Sequence, residues 1–394
     1  MFLEILIIVG IGICLGIITG LIPGIHVNLI SVIILSLSVF LLKYLSPLDV
    51  CIIIISMAIT HSFLDTIPSV FLGVPEEDTA LSILPGHRLL LEGRGFEAVM
   101  LTVVGSLGGL LLGFMFIPLL LKLVSIIYPL IKDYIGWILL VVSVFMILKD
   151  EKKIWALIVF VSSGILGLIV LNSAVDEVLF PLFSGLFGVS MLIMSLQDNV
   201  SIPKQEVTSI RAEGKYKAIG CSVIVGWFAS FLPGLGPAQA AVIGSQFVKL
   251  TEKGFMILVG GLSTVNMLLS LVTFYVLDKA RNGAVVTVSK IIEISFYEFL
   301  IFITVALIVG GVASILAIKL TKVFSKLISK VNYKKLCISI ILLICVLVGV
   351  ITGWIGLIIL AVSTALGIVP AIKGVSRSHM MGCLLIPVMS YFLL

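Results

Sequence analysis

Apolar residues run through the chain in stretches long enough to cross a bilayer, and short polar segments separate them. A helix needs about 20 apolar residues to span the hydrocarbon core. The stretches predict a broken segment at 2–42 and then spans near 48–66, 98–121, 133–149, 153–171 and 176–196. After a polar connector the order restarts, with a broken segment at 217–250 and spans near 254–277, 297–318, 336–351, 353–370 and 376–394.

One short sequence motif occurs near the start of each half. Gly16 lies seven residues before Pro23-Gly24, and Gly226 lies seven residues before Pro233-Gly234, 210 positions further along. Proline removes a backbone donor and clashes with the preceding turn, while glycine adds backbone freedom, so each pair is expected to break its helix. Two broken helices at matching places in two halves indicate a transporter's substrate site. For either pair alone, a kink that only shapes packing is the alternative.

Other residues keep the same order at a similar offset. Phe71 corresponds to Phe274, and Gly108-Gly109 corresponds to Gly310-Gly311. The sequence therefore predicts an all-α polytopic membrane protein with two repeats, 1–196 and 217–394, joined by a cytoplasmic connector at 197–216. Each repeat would hold a Pro-Gly-broken helical hairpin and about five transmembrane helices. If each hairpin returns to its own side of the membrane, the repeats have inverted topology.

Basic residues set the expected orientation, because cytoplasmic loops are enriched in Lys and Arg. The lysine-rich stretch 319–335 is assigned to the cytoplasm, and the connections on the same side are then 75–97, 149–153, 197–217, 249–253 and 373–377. Six of the 25 basic residues fall on the other side, namely Lys43, Lys122, Lys132, Lys279, Arg281 and Lys290. This map predicts a multi-pass protein of the cell membrane with both termini outside the cytoplasm.

Composition supports the membrane location and argues against several classes of protein. Hydrophobic residues make up 60% of the chain and charged residues 11%, with a mean hydropathy of +1.32, whereas soluble proteins carry about 25% charged residues. Residues 2–22 lack a basic start and a small-residue cleavage site, so we interpret them as mature structure. The six cysteines form no CxxC pair and behave as small hydrophobes.

Known catalytic patterns are not found in the sequence. Four scattered histidines form no HExxH pair, and no Walker A sequence occurs, so neither an intramembrane metalloprotease nor an ATP-driven pump is indicated. A channel is a further alternative, although it would not require two opposed broken helices. We expect no enzyme activity, no cofactor, no bound metal and no nucleic-acid partner.

Polar residues inside the apolar stretches are the candidates for binding a substrate. The segments after the two Pro-Gly pairs would begin new half-helices, whose free N–H groups and positive dipole ends attract anions. Gly236 permits close backbone approach, and Gln239 supplies a side-chain donor. The candidate substrate-binding set is Pro23, Gly24, His26, Asn28, Pro233, Gly234, Gly236, Pro237, Gln239 and Asn266.

Asp65 is the most informative single charge, since it interrupts a long apolar run. Ionisable groups at membrane depth are costly and usually mark ion or substrate pathways. Together with Ser62 and Thr66, Asp65 forms the candidate site for a coupling ion, Na⁺ or H⁺. The alternative is an interfacial residue or a helix cap beside Pro68. The acidic residues 76–78 are better explained as a solvated turn.

The two Pro-Gly segments and the region 60–113 resemble the large membrane permease (TctA-type) of the tripartite tricarboxylate transporter family. In that region Pro85-Gly86-His-Arg88 is followed by Glu92-Gly93-Arg94-Gly95 and then by Gly105-Ser106-Leu-Gly108-Gly109. The resemblance implies secondary uptake of carboxylates driven by Na⁺ or H⁺, with a small membrane subunit and an extracytoplasmic binding protein as partners.

Two further expectations stay open at this point. A polyprenyl-phosphate transporter family also uses inverted, Pro-Gly-broken repeats, so a lipid-linked phosphate is the alternative to a small carboxylate as the anionic substrate. Assembly into a homo-oligomer within the lipid bilayer is also allowed.

Overall fold

Every regular element in the described part of the chain is a helix. The computed structural model describes residues 2–22, 27–74, 83–173, 177–197, 203–207, 210, 212, 214–231, 236–280, 282–329 and 332–394. Seven stretches of these residues are long and apolar enough to cross a membrane: Glu4–Leu21, Pro47–Leu72, Gly95–Lys149, Lys153–Leu171, Glu252–Leu277, Phe296–Ile328 and Lys334–Lys373. The chain is therefore an all-helical, multi-pass membrane protein.

The first half begins with helices on either side of the first Pro-Gly pair, α1 (Phe2–Leu21), α2 (Val27–Ser36) and α3 (Ser38–Leu41). Next, α4 (Pro47–Leu64) starts behind a capping box between Ser46 and Asp49. It continues past Asp65 as α5 (Thr66–Leu72), which ends at Gly73 with a φ of +67°. The remaining helices of this half are α6 (Ile83–Leu91), α7 (Gly95–Ile131), α8 (Ile135–Lys149), α9 (Lys153–Leu171), α10 (Leu179–Phe183), a π-helical turn (Ser184–Val189) and α11 (Ser190–Gln197).

The second half also starts with helices on either side of its Pro-Gly pair. They are α12 (Lys215–Phe231) and α13 (Pro237–Phe247), followed by α14 (Glu252–Leu277), α15 (Gly283–Ser289), α16 (Phe296–Ile328), α17 (Tyr333–Lys373) and α18 (Gly382–Leu393). Gly353 has a φ of +68° and a ψ of −163°, so α17 consists of two helical arms joined at a kink. These arms are the two spans predicted at 336–351 and 353–370.

Two connections predicted as loops contain short helices, so that part of the prediction is wrong. α6 lies inside the predicted loop 75–97, and α15 lies inside 278–296. Pro85 fits in the first turn of α6, where its missing N–H has no intrahelical partner to lose. The Asn282 side chain caps α15 by accepting the N–H of Ala284 at 3.0 Å. Helices this short give no clear periodic pattern in the sequence.

The first helix of each half runs parallel to the next long helix. The contacts that establish this are Gly16 with Thr60, Gly20 with Leu64, Gly226 with Val265, and Ser230 with Thr273. Residue numbers rise together along both pairs, α1 with α4 and α12 with α14. In each half, the chain between the paired helices therefore returns to the side from which its first helix started.

The two halves interlock through α4, α7, α14 and α16. The directions of these helices follow from three contacts: Phe63 with Gly310, Phe71 with Phe324, and Tyr275 with Phe299. The first two contacts make α16 parallel to α4–α5. The third places the end of α14 beside the start of α16, so these two helices are antiparallel. Consequently α4 and α14 run in opposite directions through the centre of the bundle.

Candidate functional site

The most buried of the seven candidate spans are the one formed by α4 and α5 and the one formed by α14. All of the apolar window in Pro47–Leu72 and 94% of that in Glu252–Leu277 lie inside the protein, whereas the corresponding share is 28% for Glu4–Leu21. Polar side chains on these two helices therefore face other protein groups and not lipid. Their hydroxyl, amide and carboxyl groups form the centre of the candidate site.

The two central helices meet through a pair of hydroxyl groups. The Ser62 and Thr264 oxygens lie 3.1 Å apart, and both side chains are buried. Ser62 lies about 22 Å along α4 and Thr264 about 18 Å along α14, at 1.5 Å per residue. Because the helices run in opposite directions, this contact lies near the middle of the membrane-spanning layer. The two residues are also 202 positions apart, the offset that relates Gly108 to Gly310.

A second hydroxyl pair lies one turn further along the first central helix. Thr66 bonds to Thr102 of α7 at 3.0 Å, and the Ser69 hydroxyl donates to the carbonyl oxygen of Asp65 at 2.9 Å. Residues three and four apart share one face of a helix, so Ser62, Asp65, Thr66 and Ser69 form a continuous polar stripe. The structure thus brings together all three residues of the predicted coupling-ion site.

Asp65 is completely buried at the junction of α4 and α5. Its side chain makes no capping hydrogen bond to α5. A buried carboxylate is stable only when a proton, a cation or several hydrogen bonds compensate its charge. The hydroxyl oxygens on the same helix face are hard ligands of the kind that small alkali cations prefer.

The first break, between α1 and α2, begins at the same level of the helix bundle as Asp65. α1 packs tightly on α4, since a Cβ atom on Gly20 would lie 2.8 Å from the Cβ atom of Leu64, next to Asp65. Of the predicted substrate residues here, Pro23, Gly24 and His26 lie outside the described residues. Asn28 is placed in the first turn of α2, with its side-chain amide packed directly against Gly283 at the start of α15.

The second break follows the end of α12, where the Ser230 hydroxyl lies 3.3 Å from that of Thr273. Pro233 and Gly234 lie outside the described residues. α13 starts with Gly236 as its N-cap, which has no side chain to make a capping bond, and with Pro237, which has no N–H, in its first turn.

The amides of Gln239 and Asn266 are both largely buried, at 2% and 8% exposure. The Gln239 carbonyl oxygen lies 2.9 Å from where a Cβ atom on Gly236 would stand, so this side chain folds back over the start of α13. Asn266 lies on α14, two residues after Thr264. The Gly236 contact thus places Gln239 at the second break, whereas Asn266, two residues from Thr264, lies on a different face of α14 from that hydroxyl.

The region that carries the family resemblance docks α6 against the core. Gly86 allows close approach to Val70, whose carbonyl oxygen lies 3.2 Å from His87 Nδ1, and Arg88 pairs with Glu252 at the start of α14. Burial lowers the pKa of His87, although its bond to Val70 acts in the opposite direction. Burial thus disfavours the charged form of this imidazole.

Sequence reasoning missed Thr102 and did not assign Thr264 to the site. Thr102 carries no distinguishing signal, because it is one hydroxyl in a long apolar span and only the packing of α7 brings it to Thr66. Thr264 could have been found, since the repeat offset of 202 relates it to Ser62. Among the described residues, no group of three or more His, Cys, Asp or Glu side chains could hold a metal ion.

Together, these features define a multi-pass helical membrane protein with a polar centre between two interrupted helices. The chain belongs to the tripartite tricarboxylate transporter TctA family, whose model matches residues 6–382. An uncharacterized protein of Methanocaldococcus jannaschii is 32% identical over 97% of each chain. No solved structure matches the chain. The family match confirms the resemblance predicted from the Pro-Gly segments and identifies a permease of the tricarboxylate-transporter type.

Proposed function

We propose that the protein is a secondary active transporter of organic anions, with carboxylates as the substrate class and Na⁺ or H⁺ as the coupling ion. The observation that carries the proposal is the buried Asp65, which lies on α4–α5 within one helical turn of the buried Ser62–Thr264 and Thr66–Thr102 hydroxyl pairs. A charged group at this depth is costly, and carriers use such groups to bind a cation or a proton.

Inverted repeats are the architecture that we propose for alternating access. The opposite directions of α4 and α14, and the parallel pairing of α1 with α4 and α12 with α14, support two related halves of opposite orientation. In this arrangement, 1–196 and 217–394 would rock against each other around the Ser62–Thr264 contact, with 197–216 as their connector.

The substrate anion would contact the two helix breaks. N–H groups at the starts of α2 and α13 supply partial positive charge. Around them, the proposed substrate set consists of Pro23, Gly24, His26, Asn28, Pro233, Gly234, Gly236, Pro237, Gln239 and Asn266. Asp65, Thr66 and Ser62 would bind the coupling ion, so that the two ligands occupy adjoining parts of one polar centre.

The family of the chain also suggests its partners and location. Tripartite systems contain further subunits, so we propose a small membrane subunit and an extracytoplasmic binding protein as partners, within the cell membrane. The chain itself would perform transport and no covalent chemistry, with both termini outside the cytoplasm. Homo-oligomerisation is compatible with this assignment.

Uptake into proteoliposomes tests the substrate class. Purified protein would be offered radiolabelled di- and tricarboxylates, a polyprenyl phosphate and a cationic amine, each with and without a candidate binding protein. We expect saturable uptake of at least one carboxylate. Translocation of the lipid phosphate without carboxylate uptake would transfer the assignment to lipid-linked phosphates, and preference for the amine would contradict an anion site.

A further inference from the structure

An apolar cavity opens beside the second broken hairpin. It has a volume of about 460 Å³ and lies between α8, α12 and α13, with lining residues that include Ile138, Val142, Ile224, Phe228, Ile243 and Phe247. This volume lies within the roughly 300–1,000 Å³ range of ligand pockets. All lining side chains are hydrocarbon or aromatic apart from the thiol of Cys221. Ile224 is 60% exposed, so the cavity is open to the surrounding lipid.

A second, basic cavity lies where α12 starts and where the chain leaves α13. It has a volume of about 360 Å³, and its lining includes Lys217, Lys249 and Thr251. Lys217 lies one helical turn before Cys221, and Lys249 directly follows Val248, both of which line the apolar cavity. We call the two neighbouring cavities together the groove, with an apolar part along α12 and α13 and a cationic end at the two lysines.

The lysines of this groove are available to a ligand. Lys217 and Lys249 are exposed and make no ion pair within the described structure. The acidic residue nearest to Lys249 in the sequence, Glu252, is paired with Arg88. The one nearest to Lys217, Glu213, lies outside the described residues. Lys149 at the end of α8 donates to Gln246 of α13 at 3.2 Å, which brings a third positive charge to the same rim.

The length of the groove fits one leaflet. From Lys217 to Phe228 the helix rises about 16 Å, close to half of the roughly 30 Å hydrocarbon core. Basic pockets between transmembrane helices characteristically bind anionic lipid head groups. We propose that this groove is a binding site for an anionic phospholipid, with its phosphate on Lys217 and Lys249 and one apolar chain along α12 and α13.

Native mass spectrometry of the detergent-solubilised full chain tests the site. Phosphatidylglycerol would be titrated against phosphatidylcholine with identical chains, for the wild type and for Lys217→Gln/Lys249→Gln. We expect tight retention of phosphatidylglycerol by the wild type and roughly tenfold weaker retention by the double variant, because each lysine contributes electrostatic attraction. Lys322→Gln/Lys326→Gln on the exposed surface of α16 is the matched control and should bind like the wild type.

Two further measurements distinguish the contribution of the lipid's apolar chain to binding from that of its phosphate head group. Ile224→Trp fills the mouth of the apolar cavity and should weaken retention while both lysines remain. Glycerophosphate, which has the phosphate but no chains, should fail to displace the lipid. Equal retention of the two phospholipids, an unaffected lysine double variant, or displacement by glycerophosphate would overturn the proposal. So would capture of a protein segment instead of lipid by a photo-crosslinker attached at Ile224→Cys.

Discussion

Asp65 illustrates how one residue can dominate the electrostatics of a membrane protein. Removing a carboxylate from water costs several kcal/mol unless other groups replace the lost hydration. The chain nevertheless buries Asp65 completely, one turn from the Ser62–Thr264 contact. In the proposed transport cycle, this carboxylate would bind the coupling cation or proton.

Asp65→Asn preserves the volume of the side chain and removes its charge. We expect loss of gradient-driven accumulation with retention of some substrate exchange, because exchange does not require net ion movement. Asp133→Asn, which changes an exposed carboxylate between α7 and α8, is the control and should accumulate normally. Normal accumulation by Asp65→Asn would return Asp65 to a structural role.

Gly236 and Gln239 test the anion-binding end of α13. Gly236 has a φ of −83°, which any residue can adopt, and a new side chain there would meet only the far end of the Gln239 side chain. Gly236→Val should therefore fold normally but transport poorly, whereas Gln239→Ala should mainly raise the apparent KM. Gly10→Val introduces the same side chain at a glycine with open space around it. It is the control and should transport like the wild type. Full transport activity of Gly236→Val would exclude close substrate approach at this position.

At the scale of helices, small residues determine how closely the two halves approach. A Cβ atom on Gly105 would fall directly on the carbonyl oxygen of Ile257 in α14 and lie 2.8 Å from the Gly261 nitrogen. Backbone atoms cannot move aside as flexible side chains can. The interface between α7 and α14 is therefore sensitive to single methyl groups, as in other membrane helix pairs that pack through small residues.

Gly105→Ala should consequently destabilise the protein by about 1–3 kcal/mol through overpacking. Gly311→Ala is the matched control, because no atom lies within 4 Å of the new methyl group. Alanine is also the better helix former, by up to about 1 kcal/mol. Thermal unfolding in detergent should give a lower Tm for Gly105→Ala than for Gly311→Ala. Identical Tm values would show that the interface is looser than described.

Across the whole molecule, hydropathy predicted most spans because a bilayer restricts the structures that can cross it. The short α6 and α15 were missed, since seven to nine residues give little periodic signal and their ends depend on Pro85 and on the Asn282 cap. The Asp65 stripe was predictable from a charge inside an apolar run. Its partner Thr102 was not, because the contact depends on packing between separate helices.

Orientation is a whole-molecule prediction that rests on the distribution of lysines. Lys290→Cys and Lys326→Cys are both at exposed positions, at the start of the α15–α16 connection and near the end of α16. A membrane-impermeant maleimide on intact cells should label Lys290→Cys, whereas Lys326→Cys should react only after permeabilisation. Labelling of the unmodified protein measures the background signal from its own six cysteines. The reverse labelling pattern would invert the proposed topology.

The most direct test of secondary transport is accumulation against a gradient. Proteoliposomes carrying the protein would receive an imposed Na⁺ or H⁺ gradient, together with a carboxylate identified in the uptake panel. We predict that the internal concentration of the anion rises above the external one and returns to equality when an ionophore dissipates the gradient. Equilibration without accumulation, under either gradient and unaffected by the ionophore, would contradict ion-coupled transport.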